Sequence, residues 1–484
     1  MSGDKHRNTK ERWVNGGSTG SLCQAFCDFP NRKRTREQTM SIMSDNRSND
    51  ASPEGDIDEI AIDRKVWWHI IPFVVILYVI CILDRVNIGY AALTMNADLG
   101  IDPAFFGFLS GIFFISYVIF EVPSNQFLVR TGARIWLTRI MISWGIITVL
   151  IAFVQTPVEL AILRFLLGAA EAGFTPGIML YLTFWFRKNR IAQALSVFFV
   201  AIPLAMVVAS PVSTFILSHA AWSGLAAWRW LFVLEGVPAI LFGGAILFYL
   251  QDSPKDASWL GGRERTWLAS RLDESRVQKE TPRSIPFRHL VATPGLLLLC
   301  ASGFLVGLFL TSLLFWIPQI VNSSGLSRSF TDTGLLVMIP YALSAGVMYI
   351  WSRRSDRLSE RRWHVAIPFT AAAIFLILLS VPHTSLAGFL LLSGAIAACY
   401  ASYAPFFVLT LESFSPGLRA SGVALVNTIA SVGAFAGPVL LGLAGGTISS
   451  TGTIVLFFLL GIAIIACAIM LVRKDLVVKI RGRS

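Results

Sequence analysis

The stretch VVILYVICILDRVNIGYAAL (residues 74–93) decides how the chain is read. It is nearly all apolar and long enough to cross a bilayer core, which takes about 20 residues of helix. Yet Asp84 and Arg85 stand side by side in its middle. A soluble helix puts such a pair at its surface. A spanning helix has no such option, since an ionised group at mid-bilayer costs on the order of 2.5–3.5 kcal/mol by insertion scales. The two side chains leave the helix about 100° apart and so cannot simply cancel each other. They must find partners on other helices or water in a cavity.

The same apolar character runs along most of the chain. Of the 484 residues, 55% are hydrophobic and only 14% charged, against about 25% charged in soluble domains. Twelve candidate spans lie near 67–91, 104–128, 134–154, 157–186, 190–218, 228–250, 292–321, 329–351, 364–381, 386–411, 417–444 and 451–472. The expected class is therefore an all-α membrane protein with twelve transmembrane helices in two six-helix bundles. Residues 1–65 read as a disordered polar tail without a cleaved leader, 66–250 as the first bundle, 251–290 as a linker, 291–473 as the second bundle and 474–484 as a basic tail. Within the linker, RERTWLASRLDESR (263–276) has helical spacing and is expected to lie along the membrane surface. The halves repeat weakly. The basic turns VRTGARIW (129–136) and SRRSDRLSERRW (352–363) recur at matching places, as parallel repeats of a transporter would.

Charge sets the orientation. Of the 40 Lys and Arg, all but Arg85, Arg164, Arg229 and Arg328 fall on the tail, the linker, the C-terminus and the loops on that same side. Basic loops stay cytoplasmic, so both termini are expected inside. The net charge of +11 has this bland cause. No basic cluster comes with interleaved aromatics, and nucleic-acid binding is not expected. Cys81, Cys300, Cys399 and Cys467 lie in apolar runs and read as small hydrophobes. Cys23 and Cys27 have no second Cys/His pair at zinc spacing, so no metal is expected. A phosphate-binding loop ending in Lys-Ser/Thr is missing, as are a metalloprotease His pair and a nucleophile elbow. The chain reads as neither an ATP-driven pump nor an enzyme.

Two more charges are buried in span 4, ELAILRFLLGAAEAGFTPGIML (159–180). Arg164 and Glu171 are seven apart, on one helix face but roughly 10 Å apart in height. The simplest arrangement places spans 1 and 4 around one cavity faced by all four ionisable side chains. Two interhelical salt bridges that merely fix packing are the competing structural account. Small residues and Pro176 around Glu171 suit a helix that bends. Low dielectric favours a neutral carboxyl and a nearby guanidinium an ionised one, and that competition suits proton coupling. Glu121, near the inner end of span 2, reads as a gating or packing bridge. Glu235 reads as a structural partner of Arg229 or a helix end. Asp356 and Glu412 sit at inner helix ends and read as holding the cytoplasmic side closed. His69, His219, His364 and His383 read as interfacial.

Five motifs in order, LDRVNIGYA (83–91), EVPSNQFLVRTGAR (121–134), RFLLGAAEAGFTPG (164–177), WRWLFVLEGVPA (228–239) and QDSPKDASWL (251–260), resemble the anion:cation symporter family of the major facilitator superfamily. The resemblance covers about residues 65–473. It implies the major facilitator fold, residence in a bacterial inner membrane, and uptake of a small organic carboxylate with protons, without a cofactor, by a monomer in contact with lipid. It further implies substrate contacts from Arg85, Arg164, Tyr117 in span 2 and Asn427 in span 11. Asp84 and Glu171 become the proton-carrying pair, and Arg130, Arg134, Asp356, Arg357 and Glu121 the gating set. For Tyr117 and Asn427 plain helix packing is an equal alternative. Val129 stands where the superfamily usually has an acid, span 5 lacks the paired glycines of drug antiporters, and the first 60 residues lie outside the family pattern. A carboxylate exchanger or uniporter, needing the arginines but not the acids, is the second expectation. A carboxylate sensor is the third, but the tail and linker are too short and polar for an output domain.

Overall fold

The computed structural model describes residues 58–277, 294–414, 419–446 and 451–472. Expectations for residues 1–57, Cys23 and Cys27, the end of the linker and the C-terminal tail lie outside them. The elements are α1 (Glu59–Leu99), α2 (Pro103–Thr131), α3 (Ala133–Ile151), α4 (Pro157–Glu171), α5 (Phe174–Trp185), α6 (Lys188–His219), α7 (Ala227–Tyr249), α8 (Gly262–Val277), α9 (Pro294–Ser323), α10 (Phe330–Leu358), α11 (Arg362–Leu379), α12 (Ser385–Ser413), α13 (Arg419–Leu443) and α14 (Thr451–Val472). Among the described residues twelve helices are long and apolar enough to cross a membrane, α4 and α5 counting as one span. All-helical construction follows from the solvent: a bilayer offers no partner for backbone N–H and C=O, so each span must satisfy its own.

Two local features differ from expectation. Helix α1 starts at Glu59, inside the stretch read as disordered tail, because Asp58 caps it by accepting from Ile60 and Ala61 N–H, both at 3.0 Å. Its polar first turns are tied down as well: Arg187 pairs with Glu59 at 3.0 Å and Asp63 at 2.7 Å, and Lys65 with Glu264 of α8 at 2.6 Å. The Lys65 hydrogen bond holds the Glu264 carboxyl below its usual range. Span 4 is broken outright rather than bent. Ala172 leaves the helix with ψ 130° and Gly173 follows with φ +88°. A left-handed residue there must be glycine, doubly so because a Cβ would sit 2.4 Å from the Ser124 hydroxyl. Pro176 lies in the first turn of α5, where its missing N–H leaves no helical bond unmade.

Within the first half, α3 packs on α7, α2 on α4, and α1 on both α6 and α7. The second half pairs α9 with α13, α10 with α12, and α11 with α12 and α14. The approach of α9 to α13 relies on small residues: a Cβ on Gly433 would meet the Phe304 carbonyl at 2.1 Å, and one on Gly307 the Ala430 carbonyl at 2.0 Å. Helices in lipid gain no hydrophobic drive from association, so such close backbone packing carries the assembly.

The halves meet along α2–α13, α6–α10 and α1–α9. The meeting points cluster at the end of the helices away from the linker. There Asn96 donates to Gln319 at 3.3 Å, Ser210 to the Gly334 carbonyl at 2.6 Å, and Phe106 stands edge-on to Trp316 at 5.0 Å. Gly442 approaches Pro103 so closely that a Cβ would lie 2.4 Å from its carbonyl. At the linker end, by contrast, Arg361 pairs with Asp356 at 2.6 Å and with Glu412 at 3.7 Å, all within the second half.

These contacts separate two glycines by their surroundings. Gly433→Leu is expected to lower stability by about 1–3 kcal/mol through overpacking. Gly346→Ala, with nothing within 4 Å of its Cβ, should gain up to about 1 kcal/mol from helix propensity. Melting midpoints of the purified protein in detergent measure both, and equal midpoints would refute the close α9–α13 packing.

Candidate substrate cavity and its charges

A cavity of about 230 Å³ lies between the halves, lined by α1, α2 and α6 on one side and α9, α10, α12 and α13 on the other. Its lining residues start near mid-depth and extend toward the linker end. Tyr78, Tyr400, Tyr403, Phe406 and Phe407 give the largely apolar wall an aromatic side, and Arg85 is its cation. Asn427 on α13 is exposed into this space, with Thr311 of α9 and Ser431 of α13 in the same wall.

Arg85 reaches the cavity because helix geometry turns it away from Asp84. Its guanidinium pairs with Oε1 of Glu171 across the α1–α4 interface. That carboxylate is the last residue of α4, where the helix carbonyls already place partial negative charge, so an adjacent cation is needed. Cys81, one turn before Arg85, donates its thiol to the same oxygen at 3.3 Å, a contact beyond the packing expected of it. The rings of Phe113 and Tyr117 lie 5.5 and 5.6 Å from the Arg85 carbon. Tyr117 thus supports Arg85 from behind and is not itself part of the cavity wall.

Arg164 is fully buried. Nε donates to the Leu109 carbonyl at 3.4 Å, and the guanidinium stands over Phe113 at 5.2 Å and Phe315 at 6.0 Å. Neither Nη1 nor Nη2 has a hydrogen-bond partner. Its opposite charges are Asp84 and Glu171. A buried guanidinium with two open donors is pre-set for a carboxylate, the group its fork matches.

Of the four charges expected to face one cavity, only Arg85 lines it; Arg164 and Glu171 are buried outside the lining, and Asp84 departs furthest. It is fully buried on the other side of α1, accepting from Thr148 of α3 at 2.8 Å and from Asn87 at 3.2 Å. The three-residue spacing of Asp84 and Asn87 puts them on one face, and that face looks into the first half rather than between the halves. Glu235 also departs from expectation. Arg229 donates instead to the carbonyls of Ala152 and Val154, at 2.7 and 2.8 Å. Glu235 turns inward and accepts from Ser213 of α6 at 2.7 Å.

The gating set is not gathered across the halves. Arg130 and Arg357 are exposed. Arg134 donates its backbone N–H to Asp252 at 2.8 Å and its guanidinium to the Leu247 carbonyl, which clamps the α2–α3 turn to the end of α7. Glu121 is half-buried on α2, with its carbonyl taken by Asn125 at 3.0 Å. Asp356 and Glu412 share Arg361, so their bridges stay inside one half. Of the histidines, His69 stacks on Tyr249 and Trp259 at 4.4 and 4.2 Å, and His364 is buried against Glu360 at 3.0 Å. Among the described residues no cluster of His, Cys, Asp and Glu has the make-up of a metal site.

Residues 74–438 match the model of the Major Facilitator Superfamily. The chain is 39% identical over 427 residues to a protein of Agrobacterium vitis named "Putative tartrate transporter", covering 86% of this chain and 91% of that one. It is 34% identical over 384 residues to the "Quinolone resistance transporter" of Acinetobacter baumannii, covering 78% and 87%. A crystal structure of a D-xylose-proton symporter superposes with a TM-score of 0.69 at 17% identity, over 86% of this chain and 99% of that one; at that identity the likeness is one of fold. A helical architecture of twelve spans, a cavity between its halves and a family match over most of its length converge: the chain belongs to the Major Facilitator Superfamily, as a multi-pass membrane transporter that resembles the superfamily's organic-acid permeases.

Proposed function

We propose that this transporter imports a small organic carboxylate together with protons by alternating access. The observation that carries this reading is the pairing of Arg85, which lines the cavity, with the buried Glu171. While Glu171 is ionised, it occupies the guanidinium. Protonating Glu171 breaks the ion pair and frees Arg85 for an incoming carboxylate, so anion and proton enter together. Loss of the proton restores the Glu171–Arg85 pair and displaces the anion. Arg164, buried outside the cavity lining with both terminal nitrogens unpartnered, holds the field positive while the pair is exchanged. Asn427 faces Arg85 across the cavity and orients the body of the acid, while Tyr117 keeps the Arg85 side chain in place. The relative named for tartrate supports a small acid, and the cavity volume suits one. Asp84, on the far face of α1, takes part in proton coupling without touching substrate.

The orientation belongs to the same proposal. Basic loops put the linker and both termini in the cytoplasm of a bacterial inner membrane. The contacts at the end away from the linker then close the outer side, and the cavity belongs to the inward-facing half of the cycle. Gating at the linker end requires Arg134, Asp356, Arg361 or their neighbours to exchange their present partners for ones in the opposite half.

Three outcomes are expected. In proteoliposomes, Glu171→Gln should abolish pH-gradient-driven accumulation of labelled tartrate while leaving counterflow exchange; unchanged gradient-driven uptake would refute the coupling role. Exchange and uptake both indifferent to the gradient in the unaltered protein would favour the exchanger reading instead. Arg85→Ala should weaken carboxylate binding about tenfold or more, the loss of one charge-assisted hydrogen bond of about 1.5–3 kcal/mol, read as the lost thermal shift on adding acid. A C-terminal fluorescent-protein fusion should light up in cells and an alkaline-phosphatase fusion stay inactive; the reverse would overturn the orientation.

A further inference from the structure

Glu235 is the buried acid that the cavity mechanism leaves unused. Its residue is only 5% exposed, and it sits on α7 where that helix packs against α1, α3 and α6. Oε1 accepts from the Ser213 hydroxyl at 2.7 Å, and Oε2 has no hydrogen-bond partner. Asn87 of α1 lies against it. The Asn87 amide donates to Asp84 at 3.2 Å, while its own oxygen is likewise without a partner. Glu235 Oε2 and the Asn87 oxygen are thus two acceptors without a donor on adjoining side chains, and one proton on Oε2 would supply a donor. Reversing the amide moves the shortage from Glu235 to Asp84 but does not end it.

Charge counting gives the same number. Among the described residues the buried acids of the first half's spans are Asp84, Glu171 and Glu235, and their bases are the buried Arg164 and the cavity-lining Arg85 that pairs with Glu171. Arg85 is committed to Glu171. Asp84 feels Arg164 and Glu171 of α4. Glu235 is faced from α1 by Asp84, Asn87 and Tyr90 and from α6 by the Ser213 hydroxyl, while the Thr148 hydroxyl of α3 is taken by Asp84. Among the described residues Glu235 therefore has no cation of its own, and an unpaired charge in such surroundings is strongly disfavoured. One proton makes the set neutral and supplies the missing hydrogen bond.

We infer that Glu235 is a proton-binding site of the first half, holding its proton against Asn87 and Asp84 behind the substrate cavity. The step is a simple protonation: Oε2 gains a proton from water, donates it in a hydrogen bond to the Asn87 oxygen, and gives it back when the site opens. Substrate and this proton then occupy opposite faces of α1. The site also borders the contact between halves. Ser213, which holds Glu235, lies on α6 between Ser210, which donates to the Gly334 carbonyl at 2.6 Å, and Thr214, packed against Gly334. Loading the proton thus acts on the helix that closes the end away from the linker. Its place in coupling rests on the symport reading above; the proton site itself does not.

Infrared difference spectra of the full-length protein in lipid nanodiscs, titrated with pH and without substrate, test it. A protonated-carboxyl band should be present at neutral pH, be lost in E235Q with one fewer bound proton per molecule, and persist in E171Q. A band unchanged in E235Q, or lost only in E171Q, overturns the assignment. Should E235Q fail to fold, S213A keeps the carboxyl and removes its hydrogen bond, so the band must shift; an unmoved band overturns it equally. If the band behaves as expected while tartrate uptake ignores the pH gradient, the site stands and the symport reading falls.

Discussion

The Arg85–Glu171 ion pair ties the first half together at the depth where a bilayer tolerates charge least. Around it the local construction makes sense. Helix α4 must stop for Glu171 to stand at its carbonyl end, so span 4 breaks at Ala172 and Gly173 rather than running on. The aromatic rings of Phe113 and Tyr117 sit close to the guanidinium because an apolar wall with a quadrupole favours a cation that is only partly exposed. Phe113 serves Arg164 in the same way, which lets two like-charged groups share one aromatic residue.

Helix α1 divides the polar interior into two compartments. One face carries Tyr78, Ile82 and Arg85 to the cavity between the halves. The other carries Asp84 and Asn87 to the junction with α3, α6 and α7. A single residue step, about 100° of helix rotation, separates a cavity-facing cation from an acid held by Thr148 and Asn87.

The two halves adhere differently from the way each coheres. Inside each, helices approach at glycine and satisfy their hydroxyls on nearby carbonyls, as Thr311 does on Gly307 at 2.7 Å and Ala434 at 3.0 Å. Between them, close backbone contact gathers at the end away from the linker. That asymmetry is what a rocking mechanism requires, since interfaces confined to one end are the ones that can be exchanged for contacts at the other.

Composition and period sufficed for the number of spanning helices among the described residues and the unusual standing of Asp84, Arg85, Arg164 and Glu171, because a charge in a long apolar run is conspicuous and expensive whatever its surroundings. The seven-residue spacing of Arg164 and Glu171 also ruled out their direct pairing on one helix. Which charges meet was not legible. Spacing along one helix says nothing of the neighbour opposite, so the Arg85–Glu171 partnership, the turning of Asp84 toward Thr148 and the commitment of Arg229 to two carbonyls instead of Glu235 emerged only from the packing. Asp84 and Asn87, three residues apart, were the one available signal of a second polar face. Local chemistry settles what a residue needs in lipid; only the assembled helices settle who supplies it.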